Sequence, residues 1–419
     1  MRERINMKIK ISASVIAVSL LLMLSLPACL NFPSTANRGA EACYRQLNTG
    51  LDHLREQLPA ITKSAEHAAE AYVRDGFAIS SSGEPGLVSE SLGRAGGLIA
   101  ITKIGSASAA KTKTIVLLFP STATLEKDLT AMTEIQKQGG IIILFGKSSM
   151  TDAAEKAGLT VDCFIDTGFP RPSAGHDVVE AGFPADSIMN MTALWCWTGE
   201  FVAACTRLGK MPPLYQSYSV PGSRERAEKL RGSKFHSETP EPVLAGTLGN
   251  QYLSALKESL TMLNEKELGH IRLVAKQAES AVRSGHTAYI SAVGHAVNAH
   301  MPLVKETGHL SPFKADTPLN KGDFIFAIAY DDILPKLLDD SRKAEAVMAW
   351  SLTDYKTAPG TGPGAIPPGQ IFINQRWALG DAVVTAPKYD INILPSSGVI
   401  AETILWMTLA EIDLLETSN

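Results

Sequence analysis

Apolar residues along the chain follow two rhythms. Long amphipathic stretches with helical spacing alternate with short β-branched and aromatic runs that show no polar alternation. The first rhythm predicts helices over Tyr44–Arg74, Leu125–Lys137, Asp152–Ala157 and Ser187–Leu208, then over Gln251–Val282, Ile333–Lys343 and Gly398–Leu415. Pro59 should kink or break the first of them. The second rhythm predicts strands over Phe77–Ser81, Thr114–Phe119, Gly140–Phe145 and Val161–Ile165, and again over Thr287–Val293, Asp323–Ala329, Ala346–Ser351 and Ala382–Thr385. Strands without alternation, each followed by a helix, imply a parallel sheet covered on both faces, with right-handed crossovers. The expected fold is α/β: two tandem doubly wound parallel-sheet domains, each a three-layer αβα unit. The Pro/Gly stretch Ala358–Gly369 reads as a surface loop.

The halves repeat one another. Ala69–Gly76 aligns with Ala278–Gly285, with five of eight residues identical, and Pro184–Glu200 aligns with Pro395–Glu411 at an offset of 211. Two matches at nearly one offset, one early and one late in each half, imply duplication. The expected domains are 40–240 and 245–419, divided where Glu238–Leu248 interrupts the pattern.

The N-terminus carries an address. Arg2, Arg4, Lys8 and Lys10 precede an apolar run, Ile11–Leu26, whose 16 residues fall short of the ~20 that a spanning helix needs. That pattern describes a secretory signal over residues 1–28, with Met7 an alternative start. Leu26-Pro27-Ala28-Cys29 resembles the lipobox of bacterial lipoproteins. The resemblance implies a diacylated Cys29, a polar tether over 29–39 and a body exported to the cell envelope, with a plain cleaved signal or an uncleaved anchor as the alternatives. A net charge of −4 with no basic stripe excludes a nucleic-acid footprint. His286, His295, His300 and His309 lack the i, i+4 spacing of a helical metal site, and no metal or cofactor is expected.

Further segments carry a family resemblance. Tyr252–Gly285 resembles the leading helices of sugar isomerase (SIS) domains, Ile290–His295 their Gly-rich turn, and Asn392–Leu415 their final loop and helix. Lys210–Gly232 resembles the tail of a phosphoheptose-isomerase-like branch. The resemblance implies a tandem SIS protein with a sugar or sugar-phosphate ligand. It also implies a phosphate loop of the form S-x-S-x-x-T, whose hydroxyls and helix N-terminal amides face the anion. Phe119–Thr124 keeps Ser121 and Thr124 of that loop and adds Thr122, while Pro120 removes a donor. Thr122 or Thr124 reads equally as a plain helix cap. Ser80, Ser81, Ser82 and Gly83 supply the other side of the expected pocket, and Gly294 its counterpart in the second half. There the matching loop reads Ala327–Asp332, hydroxyls lost and two carboxylates gained. Glu84 and Glu90 are the base candidates in the first half, His295 and Glu306 in the second. The function expected is sugar or phosphosugar binding without turnover. A sugar-phosphate aldose–ketose isomerase and a non-catalytic envelope scaffold are the alternatives. The halves are expected to pair as an internal pseudo-dimer, with the Trp195 and Trp406 helices at the seam.

Overall fold

Each half builds a five-stranded parallel sheet with the same connectivity. The computed structural model describes residues 39–104, 113–121, 124–168, 185–354 and 362–417, so the signal segment, Cys29 and Thr122 lie outside the described residues. In the first half α1 (Gly39–Arg74) leads into β1 (Ala78–Gly83), α2 (Pro85–Ser91), β2 (Ile101–Lys103) and β3 (Thr114–Phe119). Then come α3 (Leu125–Lys137), β4 (Ile141–Gly146), α4 (Ser148–Lys156), β5 (Cys163–Asp166) and α5 (Ala185–Arg207). A short α6 (Ser223–Leu230) lies between the halves. The second half runs α7 (Thr247–Arg283), β6 (Ala288–Ala292), α8 (His295–Ala299), α9 (Met301–Glu306), β7 (Ser311–Pro312) and β8 (Phe324–Ile328). It continues with α10 (Pro335–Ala344), β9 (Val347–Leu352), β10 (Ile371–Asn374), β11 (Val384–Thr385), β12 (Asn392–Ile393) and α11 (Ser397–Thr417). Strand orders are β2-β1-β3-β4-β5 and β7-β6-β8-β9-β10, with every pair parallel. This is the doubly wound α/β class expected, present twice.

Two local expectations change. Ala382–Thr385 does not join the sheet: Val384 and Thr385 pair antiparallel with Ile393 and Asn392 in a separate ribbon, and Ile371–Asn374 is the fifth strand. Nor does Pro59 end α1, which continues through it. The missing N–H costs a hydrogen bond, but the helix is packed along its length, with Leu47, Leu51, Leu54, Ile61 and Ala65 all buried.

Alternation along the central strands sets the layers. Ile115, Leu117 and Phe119 face one way with Ile143 and Phe145, while Val116, Leu118, Ile142 and Leu144 pack under Leu129 and Met132 of α3. In the second sheet Phe324, Phe326 and Ile328 face inward, and Ile325, Ala327 and Trp350 meet Leu337 and Leu338 of α10. The inward faces of both sheets belong to one apolar cluster that runs through α1, α5, α7 and α11. Trp195, Trp197 and Trp406 are wholly buried within it.

Two glutamates bind the halves across this layer. Glu200 of α5 is fully buried and accepts from the backbone N–H of Gly246 (2.6 Å) and Gly249 (2.8 Å), at the start of α7. Glu411 of α11, its counterpart at an offset of 211, accepts from the Ala40 N–H at 2.9 Å, at the start of α1. Each final helix therefore caps the other half's first helix, where free amides and the helix dipole favour a negative charge. Glycine permits the approach: a Cβ on Gly199 would lie 2.9 Å from Leu394 Cδ1 and 3.1 Å from Leu248 Cβ. Glu200→Ala would leave the Gly246 and Gly249 amides without their carboxylate. We expect it to lower unfolding free energy by about 3 kcal/mol in urea titrations, as loss of a buried charged acceptor does. A loss under ~1 kcal/mol would mean that the caps do not hold the halves together.

Candidate functional site

Doubly wound sheets take ligands in the crevice outside the carboxyl ends of the strands where strand order reverses. In the first half this lies between β1 and β3. Gly83 closes β1 with φ +118°, and a Cβ there would stand 2.1 Å from the Phe119 carbonyl oxygen, so only glycine fits. Ser80, Ser81 and Ser82 are buried strand residues whose hydroxyls already have partners. Ser80 meets the Thr102 hydroxyl at 3.1 Å, Ser81 accepts from Ser91 at 2.7 Å, and Ser82 donates to Asp128 Oδ1 at 3.4 Å. Ser121 and Thr124 hydroxyls contact each other at 3.0 Å, and the Ser121 N–H donates to Thr124 Oγ1 at 3.0 Å. Beneath them, in the first turn of α3, lies the buried carboxyl of Asp128. Burial raises its pKa, opposed by hydrogen bonds from Thr124 and Ser82. An internal carboxyl thus engages Thr124 and Ser82, while the Ser121 hydroxyl stays with Thr124 at the mouth of the crevice.

The second crevice is closed. Sheet register pairs Ile79 with Ile115 and Ile290 with Phe326, so with Gly83 matched to Gly294 the counterpart of residues 119–124 is 330–335. This corrects the Ala327–Asp332 alignment by three positions; without hydroxyls to mark the loop, sequence alone leaves its register loose. Tyr330 stands in the place of Phe119, and its hydroxyl accepts from Arg94 at 2.7 Å. The cavity left beside Gly294, His295 and Tyr330 is about 10 Å³, room for one water at most. Asp332 accepts from the Gly362 N–H at 2.8 Å, and Asp331 from the Ser219 hydroxyl at 3.0 Å.

The chemically richest cluster joins the halves. Glu84 caps α2, accepting from the N–H of Gly86 (2.7 Å) and Leu87 (3.2 Å). Its Oε1 lies 3.0 Å from Nε2 of His300, which enters from the junction of α8 and α9. The other ring nitrogen of His300 lies 2.7 Å from Glu402 Oε1. Ser187, in the first turn of α5, donates to Glu84 Oε2 at 3.1 Å and lies 3.4 Å from His300 Nε2. His295 follows Gly294 as Glu84 follows Gly83, and its Nδ1 lies 3.0 Å from the Ser89 carbonyl oxygen. Ser89 and His300 are themselves 211 apart, so one contact is made twice with its partners exchanged.

Burial alone would lower the His300 pKa, but Glu402 and Glu84 raise it to about 10. Burial pushes Glu84 the other way, yet the hydrogen bond and charge of His300 hold it below the ordinary carboxylate value, helped by the Gly86 amide and Ser187. His295 is lowered, by burial and then by Arg94. Behind this cluster Arg94 bonds Glu90 (3.1 Å), Asp381 (2.9 Å) and Ser397. Burial raises Glu90 to about 7, with Arg94 opposing. Glu90 is thus an interior residue against Gly398, whereas Glu306 is exposed at the end of α9.

Glu84 and His295 stand out in the sequence, but nothing there connects them to Ser187, His300, Glu402 or Arg94. The His300 partners lie 216 and 102 residues away, and no local pattern announces them. Among the described residues, no group of His, Cys, Asp and Glu is placed to hold a metal ion. What the cluster offers is an imidazolium between two carboxylates, with one carboxylate and a serine at its rim. Its sign in pH follows. A histidine raised from ~6.5 to about 10 contributes stability complete below the lower value and lost as pH rises through the upper. Urea titrations at pH 6, 8 and ~9.5 should show falling stability, with that slope flattened in His300→Gln. An unchanged slope in the variant would remove His300 as its cause.

No family model matches the chain, and no curated protein does. Solved structures align over most of its length. One is a protein from Salmonella typhimurium LT2 to which sugar binding is ascribed, 11% identical, with 89% of this chain and 99% of that chain covered and a TM-score of 0.48. Another, from Silicibacter pomeroyi DSS-3, is ascribed phosphosugar isomerase activity, at 11% identity, 89% and 98% coverage and a TM-score of 0.46. A third is the C-terminal domain of glucosamine-fructose-6-phosphate aminotransferase from Francisella tularensis, at 10% identity, 86% and 95% coverage and a TM-score of 0.41. Similarity at this level stops short of a shared family.

Proposed function

We propose that the chain is a tandem sugar-isomerase-fold protein, held at the cell envelope by lipid on Cys29, that binds a neutral or amino sugar without converting it. The ligand lies at the first crevice, against Ser121, Ser187 and Glu84. The observation that carries this reading is the pairing of Glu84 with His300. Aldose–ketose isomerisation needs a base with a pKa near working pH. Glu84 is held ionised below the ordinary range by His300, the Gly86 amide and Ser187, which makes it a weak base and a good acceptor. Asp128 under the Ser121 loop and Glu84 beside it disfavour phosphate by like charge where they are ionised. Sugar hydroxyls and an ammonium group meet acceptors instead. The halves act as an internal pseudo-dimer, supported by the exchanged contacts Glu84–His300 and His295–Ser89. The scaffold reading is favoured only in the second half, where Tyr330 fills the crevice.

Melting of the full chain in detergent tests the site with glucosamine, glucose and glucose 6-phosphate. A ligand at ~100 times its Kd adds ~2.7 kcal/mol. Glucosamine or glucose should raise the melting temperature of wild type and leave Glu84→Gln unmoved. A glucose 6-phosphate response abolished by Glu84→Gln, or conversion to fructose 6-phosphate, would overturn the reading. For the anchor, Cys29→Ser should move the protein from the membrane to the soluble fraction and remove the acyl mass. Membrane retention with an unacylated Cys29 in wild type would refute it.

A further inference from the structure

A second cavity lies away from the crevices, on the segment that joins the halves. It measures about 500 Å³ and is walled by Ile99, Tyr215, Tyr218, Arg224, Glu228 and Arg231 among others. That volume falls within the ~300–1,000 Å³ of sites that hold small organic ligands. Both walls are fixed by contacts that do not use these side chains. Tyr215 donates its N–H to the Gly97 carbonyl (2.9 Å) and accepts from the Gly96 N–H (2.7 Å), while Ile99 N–H donates to the Pro213 carbonyl (3.0 Å). On the other side Arg226 grips Asp390 of the second half through two bonds of 2.7 and 2.8 Å and donates to the Leu214 carbonyl at 2.8 Å. The cavity is therefore built before any ligand arrives, which spares the ordering cost of binding.

Its chemistry differs from that of the crevice. The Arg224 guanidinium lies 5.3 Å from the centre of the Tyr218 ring and makes no ion pair among the described residues. Arg231 is paired with Glu228 in a two-pronged contact. Two arginines against one glutamate leave a net positive wall. Tyr218 is 65% exposed, with Arg224 over its ring. A flat base therefore lacks a two-sided aromatic sandwich, while phenol hydroxyls, guanidinium N–H groups and the aliphatic Ile99 and Ala227 remain on offer. We infer that this cavity is a second ligand site, for a sugar ring that carries one anionic group. A carboxylate and a phosphate share the chemistry that Arg224 recognises. The inference does not rest on the crevice reading, since none of its residues contributes there.

Calorimetric titration of the full chain in detergent, at low salt, tests it with glucuronate, glucose 6-phosphate, glucose and adenosine 5′-monophosphate. Glucuronate or glucose 6-phosphate should bind at least 10-fold more tightly than glucose, and the tighter of the two names the anion. Arg224→Ala should weaken that binding at least 10-fold, and Tyr218→Ala should weaken it as well, with unchanged circular dichroism. Arg224→Lys should recover only part of the affinity, because a point charge lacks the planar fork. Equal affinity for glucose, tighter binding of the nucleotide, no heat with any probe at millimolar concentration, or an Arg224→Ala variant that binds as wild type would each overturn the assignment. A glucose 6-phosphate response lost in Arg224→Ala but kept in Glu84→Gln belongs to this cavity and leaves the crevice reading untouched.

Discussion

Ionised groups enter a protein interior only where other groups meet their charge, and here most of the buried ones gather along the seam between the halves. Glu200 and Glu411 reach across the central helices to amides at the start of α7 and α1. Glu84, Glu402 and His300 form a second crossing, and Glu90, Arg94 and Asp381 a third. Removing one member strands its partners in a low-dielectric environment, where an unpaired charge costs several kcal/mol. The apolar layer of α1, α5, α7 and α11 supplies most of the burial. The polar crossings set the register at which those helices meet, because apolar side chains alone tolerate many packings.

The fold was legible because its signals are local. Thr114–Phe119 and Leu125–Lys137 carry their element types in their own residues and stand at the expected limits. What escaped were elements too short to carry a pattern. β2 and β7 span three and two residues, and α8 and α9 five and six. The fifth strand of the second sheet was misplaced because Ile371–Asn374 follows a Pro/Gly-rich loop, whereas Val384–Thr385 looks equally strand-like and finds its partner in a local ribbon. Pro59 misled in the opposite direction, since its intrinsic cost is fixed by the residue while the burial that outweighs it is set by distant helices.

The site was legible only in part, for a related physical reason. Residue type marks chemistry when several such residues stand close in the chain, as Ser80–Glu84 do. The string is plain in the sequence, yet its three hydroxyls belong to strand residues bonded to Thr102, Ser91 and Asp128. Apart from the Gly86 amide, the groups that set the protonation of Glu84 come from α5 and from the second half. Proximity created by folding leaves no trace in spacing. Glu402 in particular sits in the apolar run of α11, where sequence gives it no distinction from any other helical glutamate.

Duplication gives this seam its character. In a true twofold pair every contact occurs twice with the same residues. Within one chain the two versions are free to differ, and at an offset of 211 they have done so. Glu84 against His300 is an ion pair, whereas His295 against Ser89 is a ring nitrogen on a backbone carbonyl. Phe119 lies tilted against Phe145 inside its sheet, whereas Tyr330 in the matching place reaches across to Arg94. Ser121 keeps a hydroxyl at its crevice, whereas Asp332 ties a loop through the Gly362 amide. Tyr330 gives the second crevice over to the seam and Asp332 ties a loop of its own half, whereas the first half keeps the Ser121 hydroxyl at its rim. Under the proposed function, a duplicated fold divides its work like this because one copy suffices to bind. The other, relieved of that constraint, supplies the charged ring of His300 that fixes the state of its twin.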